Sequence, residues 1–188
     1  MALKVIGITG PNGSGKTEVA KALARLDVSC VRMGDVVWEE VRRRGQKITE
    51  TNVAKVANEL REREGLGAIA KRCIPLIKAR GKGKRAVAVD GVRGVAEVNE
   101  FRRVFGKNFH LIAARAGEQT RYSRISSRVR ADDAETREKF REKDQREGDW
   151  GLEKAIALAD FTIVNEGTLE ELHKKAVKIY KQLTGEKV

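Results

Sequence analysis

The chain has 188 residues and a net charge of +12, from 39 Lys and Arg against 27 Asp and Glu. That length suits a single domain, 1–188, with a substantial core, and 40% hydrophobic residues with only two prolines exclude a disordered chain. Cys30 and Cys73 sit in apolar patterns and His110 and His173 lie far apart, which excludes a disulfide scaffold and a readable metal constellation; with no leader pattern and no membrane-length apolar stretch, a cytoplasmic protein is expected.

The first predicted strand, 3–9, is the apolar run Leu3-Lys4-Val5-Ile6-Gly7-Ile8-Thr9. It feeds Gly10-Pro11-Asn12-Gly13-Ser14-Gly15-Lys16-Thr17, a G-x-x-x-x-G-K-T string. A helix over 16–26 follows, with Val19, Ala22, Leu23 and Leu26 on one face. Strand, glycine-rich loop and helix in that order make a phosphate cradle. The glycines let backbone N–H groups close around a polyphosphate, and the helix N-terminus adds its positive end. Lys16 offers a charge to the β and γ oxygens and Thr17 a hydroxyl to Mg²⁺, so ATP with Mg²⁺ is the expected ligand.

A second strand, 28–32, leads to helices over 34–44, 50–63 and 66–80, far more than one crossover needs. Val53, Val56, Ala57 and Leu60 keep helical spacing, as do Leu66, Ile69, Ala70 and Cys73, and Pro75 predicts a kink. Residues 41–85 hold 14 basic and 4 acidic residues, so +10 of the excess lies there. Such a patch attracts anions, nucleic acid among them, or is a solvated face.

The third strand, 86–90, ends Ala86-Val87-Ala88-Val89-Asp90, before Gly91-Val92-Arg93-Gly94. Asp90 reads as a carboxylate that orients Mg²⁺ beside the cradle, or as a strand-end turn residue. Gly91 stands where many ATPases carry a water-activating glutamate, which favours transfer to a bound acceptor over hydrolysis. A helix over 95–105 and a strand over 108–114 precede Arg- and Glu-rich helices over 117–129 and 133–147. Arg121, Arg124 and Arg128 fall at i, i+3, i+7, and Arg130 and Arg141 bracket Asp132-Asp133. Like charges so stacked repel unless a polyanion joins them, or unless Glu135, Glu138 and Glu142 neutralise them. A helix over 151–158, a strand over 160–164 and a helix over 168–183, opened by a Thr168/Glu171 capping box, complete the chain. The alternation predicts an α/β fold, a three-layer α/β/α sandwich with a five-stranded parallel sheet. Its long insertions, about 34–84 and about 117–148, hang from the strand ends where ligands of such sheets bind.

These motifs together resemble the nucleoside monophosphate kinases. The glycine loop, Met33-Gly34-Asp35, Asp90-Gly91 with Arg93, and Arg-x-Asp-Asp with a later arginine carry the resemblance. It implies a P-loop NTPase fold in which Arg130 and Arg141 clamp the transferring phosphates; Arg124 and Arg128, on the stripe that a polyanion would join, are expected near the triphosphate. It also implies that Gly34, Asp35, Arg42 and Arg43 lie near the acceptor, whose phosphate Arg93, just beyond Asp90, is expected to reach. Asp90-Gly91-Val92-Arg93 lacks the Phe-Pro that precedes the arginine in adenylate kinases. The tail Ala159 to Leu172 is instead similar to dephospho-coenzyme A kinases, which implies that Asn165 borders the adenine. Over nearly its full length the chain resembles an archaeal P-loop family described as adenylate-kinase-like or dephospho-CoA-kinase-like. The expected function is phosphoryl transfer from ATP to a small nucleotide-like acceptor, a nucleoside monophosphate or dephospho-CoA. The rival is a nucleotide-regulated nucleic-acid-binding protein or ATPase that uses region 41–85.

Overall fold

The computed structural model describes residues 2–127 and 136–186. Five strands, β1 (Lys4–Thr9), β2 (Ser29–Arg32), β3 (Ala86–Val92), β4 (Phe109–Arg115) and β5 (Phe161–Val164), form one parallel sheet in the order β2-β3-β1-β4-β5. The helices among the described residues are α1 (Lys16–Ala24), α2 (Met33–Arg43), α3 (Glu50–Glu64), α4 (Ala68–Arg80), α5 (Val95–Phe105), α6 (Glu118–Ser126), α7 (Arg137–Asp149), α8 (Leu152–Ala157) and α9 (Leu169–Thr184). α4 runs through Pro75 as one helix, and the Thr168/Glu171 capping box opens α9 as expected.

The sheet is covered on both faces, which is why its strands read as unbroken apolar runs. Successive side chains alternate between two cores. Val5, Val87, Val89 and Leu111 pack against α2 to α5, while Ile6, Ala88, Ile112 and Ile163 pack against α1 and α9. The three layers are those of a P-loop sandwich. α6 and α7 pack together on a small core of their own, Tyr122, Ile125 and Phe140.

The topology sets where ligands go. β1 is central, between β3 and β4; the connection after β1 runs to β2 on one side and the connection after β3 runs to β4 on the other, which opens a crevice at their carboxyl ends. One irregularity sharpens that edge. The β1–β3 register pairs Ile8 with Asp90 but Thr9 with Val92, leaving Gly91 as an extra residue at φ 100°. A side chain there would be strained. Gly91 therefore answers a backbone demand, and the bulge turns the chain just after the Asp90 carboxylate.

Candidate active site

The cradle is built by close approaches that only glycine permits. A Cβ on Gly10 would lie 2.1 Å from the Ala114 carbonyl oxygen, and one on Gly13 would lie 2.6 Å from that of Arg121. The loop is thus wedged between β4 and α6. Pro11 and Ser14 close it by a backbone bond of 3.1 Å. Arg121 donates from Nη1 to the Asn12 carbonyl at 3.0 Å, and Asn165 donates from Nδ2 to the Ser14 carbonyl at 2.9 Å. Lys16 lies across the mouth, its Nζ 2.6 Å from the Gly10 carbonyl and 2.9 Å from that of Pro11. The buried Ser14 hydroxyl has no hydrogen-bond partner among the described residues.

Beside the cradle, Thr17 Oγ1 donates to Asp90 Oδ2 at 3.1 Å. Asp90 is buried at the end of β3, level with the first turn of α1. A hydroxyl and a carboxylate side by side are hard oxygen donors of the kind Mg²⁺ takes. With a glycine cradle and a lysine adjoining them, the residues present fit a magnesium–triphosphate group.

A cleft with an internal volume of about 60 Å³ adjoins this end of the sheet. Both long connections contribute to it: Gly34 and Trp38 from α2, Val53, Ala57 and Arg61 from α3, Lys143, Arg146 and Glu147 from α7. Its floor is ionic. Arg93 Nε donates to Glu147 Oε1 at 2.8 Å, and Arg61 Nη2 meets Glu97 Oε1 at 3.3 Å with its guanidinium 3.9 Å above the Trp150 ring. Burial alone pushes the Glu147 carboxyl up. The charges of Arg93 and Lys16 overcome it and hold Glu147 down at about 2. Burial pushes the Cys30 and Cys73 thiols up, to about 11 and about 12, so neither is a poised nucleophile.

The predicted site residues divide into groups. Gly10 to Thr17, Asp90 and Asn165 come together, although Asn165 is spent on holding the loop. Gly34 and Arg93 line the cleft, with Arg93 tied to Glu147 and to the Gly91 carbonyl. Asp35, Arg42 and Arg43 do not line it: Asp35 pairs with Arg32 at 3.5 Å, Arg43 with Glu40 at 2.8 Å, and Arg42 is exposed. Arg124 donates to the Asn165 carbonyl at 3.1 Å. Arg128 and Arg130, with Asp132 and Asp133, lie outside the described residues.

Arg141 is mostly exposed and pairs with Glu118 at 3.2 Å. Arg141→Ala is therefore expected to leave the melting temperature within about 2 °C of wild type. Turnover should also stay close to wild type. A large fall in kcat with an unchanged melt would return Arg141 to the phosphates.

Sequence reasoning missed Glu147, Lys143, Asp144, Arg61 and the two tryptophans. Asp144 grips Arg121 at 2.5 Å and 2.9 Å, which binds α7 to α6 and, through the Asn12 carbonyl, to the cradle. A signal was present: Phe140, Lys143 and Glu147 share one face of α7 at i, i+3, i+7, and all three are buried. The basic region is also less bare than its sequence. Arg44 and Arg72 pair with Glu59 and Glu64, while Arg61, Lys84 and Arg85 take Glu97, Asp27 and Glu186 from outside it.

Among known proteins, residues 6–147 match the AAA domain family. A UPF0200/UPF0201 protein of Archaeoglobus fulgidus is 45% identical over 183 residues, 97% of this chain, which spans 57% of that relative's length. A UPF0200 protein of Methanosarcina mazei is 42% identical over 172 residues, covering 92% of this chain and 91% of its own. One from Thermococcus kodakarensis is 36% identical over 180 residues, covering 95% and 97%. Among solved structures, TT1252 from Thermus thermophilus superposes with a TM-score of 0.66 at 16% identity, covering 97% of this chain and 99% of its own. Shikimate kinase from Acinetobacter baumannii gives 0.55 at 19%, covering 97% and 94%. At these identities the likeness is one of fold, that of the P-loop kinases.

Proposed function

The chain belongs to the UPF0200 family and carries an AAA domain, and on that premise we propose that it is an ATP·Mg²⁺-dependent phosphotransferase. It moves the γ-phosphoryl group to a small nucleotide-like acceptor, a nucleoside monophosphate or dephospho-CoA. The observation that carries this reading is the 3.1 Å contact between Thr17 and Asp90, at the mouth of a glycine cradle and beside a separate lined cleft. Two adjoining sites suit transfer between two bound molecules.

The loop amides, the α1 N-terminus and Lys16 would hold the triphosphate and meet charge that grows on its oxygens during transfer. Thr17 and Asp90 would hold Mg²⁺, which supplies charge neutralisation when bound. A hydroxyl acceptor would need a carboxylate to take its proton, whereas a phosphate acceptor needs no base. Ion pairing across 41–85 supports this reading over a nucleic-acid-binding protein, because carboxylates already answer many of those cations.

The test is ATP-to-ADP turnover across the nucleoside monophosphates and dephospho-CoA, beside an acceptor-free control. The expected result is acceptor-dependent turnover, lowered roughly 10- to 100-fold in Asp90→Asn. A fast acceptor-free rate that no candidate changes would make the protein an ATPase instead. Steeply salt-dependent binding of an oligonucleotide without turnover would favour the rival.

A further inference from the structure

The cleft's own charges narrow the acceptor. Four cations, Arg61, Arg93, Lys143 and Arg146, share it with three carboxylates, Glu50, Glu97 and Glu147. Three ion pairs, Arg61–Glu97, Arg93–Glu147 and Arg146–Glu50, join them within the cleft. A phosphate monoester would bring nearly two negative charges to a place that already answers most of its cations. The walls, among them Val37, Trp38, Val53 and Trp150, are apolar or aromatic.

Glu147 is the informative group. Its Oε1 is fixed by Arg93 at 2.8 Å, yet its buried Oε2 has no hydrogen-bond partner among the described residues. A buried carboxylate oxygen without a donor is costly and is normally answered by a ligand or by water. One turn earlier on the same helix, Asp144 fastens Arg121 to the Asn12 carbonyl, so α7 is pinned to the cradle just where Glu147 enters the cleft. The Lys16 charge reaches Glu147 strongly enough to help keep it ionised.

Resting on the phosphotransfer reading, we infer that the acceptor atom is a hydroxyl oxygen, carried by a molecule that presents no phosphate monoester to this cleft and donating its hydrogen to Glu147 Oε2. A fixed carboxylate there accepts from a hydroxyl and repels a phosphate, so the same group selects one acceptor and rejects the other. In the step, the hydroxyl oxygen bonds to the γ phosphorus while the bond from that phosphorus to the β,γ-bridging oxygen breaks. The electron pair of the broken bond leaves with ADP. The hydroxyl proton passes late to Glu147 Oε2 and then to water. This selects the dephospho-CoA type of acceptor over the nucleoside monophosphate type.

The experiment follows phosphorus NMR of the wild type and of Glu147→Gln and Glu147→Asp with ATP·Mg²⁺. The probes are each nucleoside monophosphate, each matching nucleoside, dephospho-CoA and no acceptor at all. Water, the smallest hydroxyl, makes the last arm informative whatever the natural acceptor is. Beyond the ADP released from ATP itself, no monophosphate should be converted to its diphosphate above background, and any transfer product should be a phosphate monoester. Slow acceptor-free hydrolysis should fall about 10²-fold in Glu147→Gln and recover in part in Glu147→Asp, with unchanged ATP affinity. A nucleoside diphosphate formed from its monophosphate, or unchanged hydrolysis in a folded Glu147→Gln, would overturn the assignment. Calorimetry is the separate check: a wild type that does not bind ATP·Mg²⁺ would remove the phosphotransfer reading itself, and this inference with it.

Discussion

Lys16→Ala should weaken ATP·Mg²⁺ binding roughly 10- to 150-fold while leaving the chain folded. A hydrogen bond made by a full charge is worth about 1.5–3 kcal/mol, and that sets the range. The fold should survive because the loop does not depend on this lysine for its shape. Asn165 holds the Ser14 carbonyl at 2.9 Å, Arg121 holds the Asn12 carbonyl at 3.0 Å, and the Ser14 amide closes on the Pro11 carbonyl at 3.1 Å. Lys16 only folds over the outside of that frame, onto the Gly10 and Pro11 carbonyls. Calorimetry with ATP·Mg²⁺, beside thermal melts of both proteins, checks the expectation. Wild-type affinity in a folded variant would show that the loop does not cradle a triphosphate.

The fold was legible because its signals are local. Alternating apolar runs and amphipathic stretches placed all five strands, and each boundary shifted by no more than two residues, as at β3, predicted to end at Asp90 and found to reach Val92. The cradle was legible for the same reason, since strand, loop and helix are contiguous and the glycines are demanded by backbone approach. The pairing of Thr17 with Asp90 could be expected from the motif although 73 residues separate them.

The cleft was less legible because its chemistry is made of distant pairs. Arg93 and Glu147 are 54 residues apart, and Arg61 and Glu97 are 36 apart. In sequence, each reads as one more charge in a charge-rich chain. The α7 helix looks solvated by composition, and its two faces have opposite fates. Phe140, Lys143 and Glu147 turn inward, whereas Arg137 and Arg141, one turn apart, turn outward to Glu118. A motif-based assignment picked Arg141; helical phase picks Glu147. Similarly, the +10 of 41–85 overstated the surface charge because Glu97, Asp27 and Glu186 lie outside that window.

The Arg93–Glu147 pair makes the largest stability prediction. Arg93→Ala removes the cation and leaves a carboxylate that is only 2% exposed. Breaking a buried pair from one side costs about 3–5 kcal/mol, and the lower end is expected because the Arg93 side chain keeps 26% of its surface exposed. For a chain of this length that lowers the melting temperature by roughly 6–12 °C. Removing both partners, as Arg93→Met with Glu147→Gln, should recover most of the loss because no lone charge remains buried. The pH dependence gives an independent sign. In the wild type, Glu147 is held below its ordinary 4.5, so its contribution is present above that value and is lost as pH falls toward 2. Without Arg93, burial dominates and the carboxyl rises above its ordinary value. The variant then gains relative stability as acid protonates Glu147, so the gap between the two proteins should narrow from pH 7 to pH 4. Denaturant melts across that range measure it. A gap that stays constant with pH would show that Arg93 supports the fold through packing, with Glu147 satisfied by some other group.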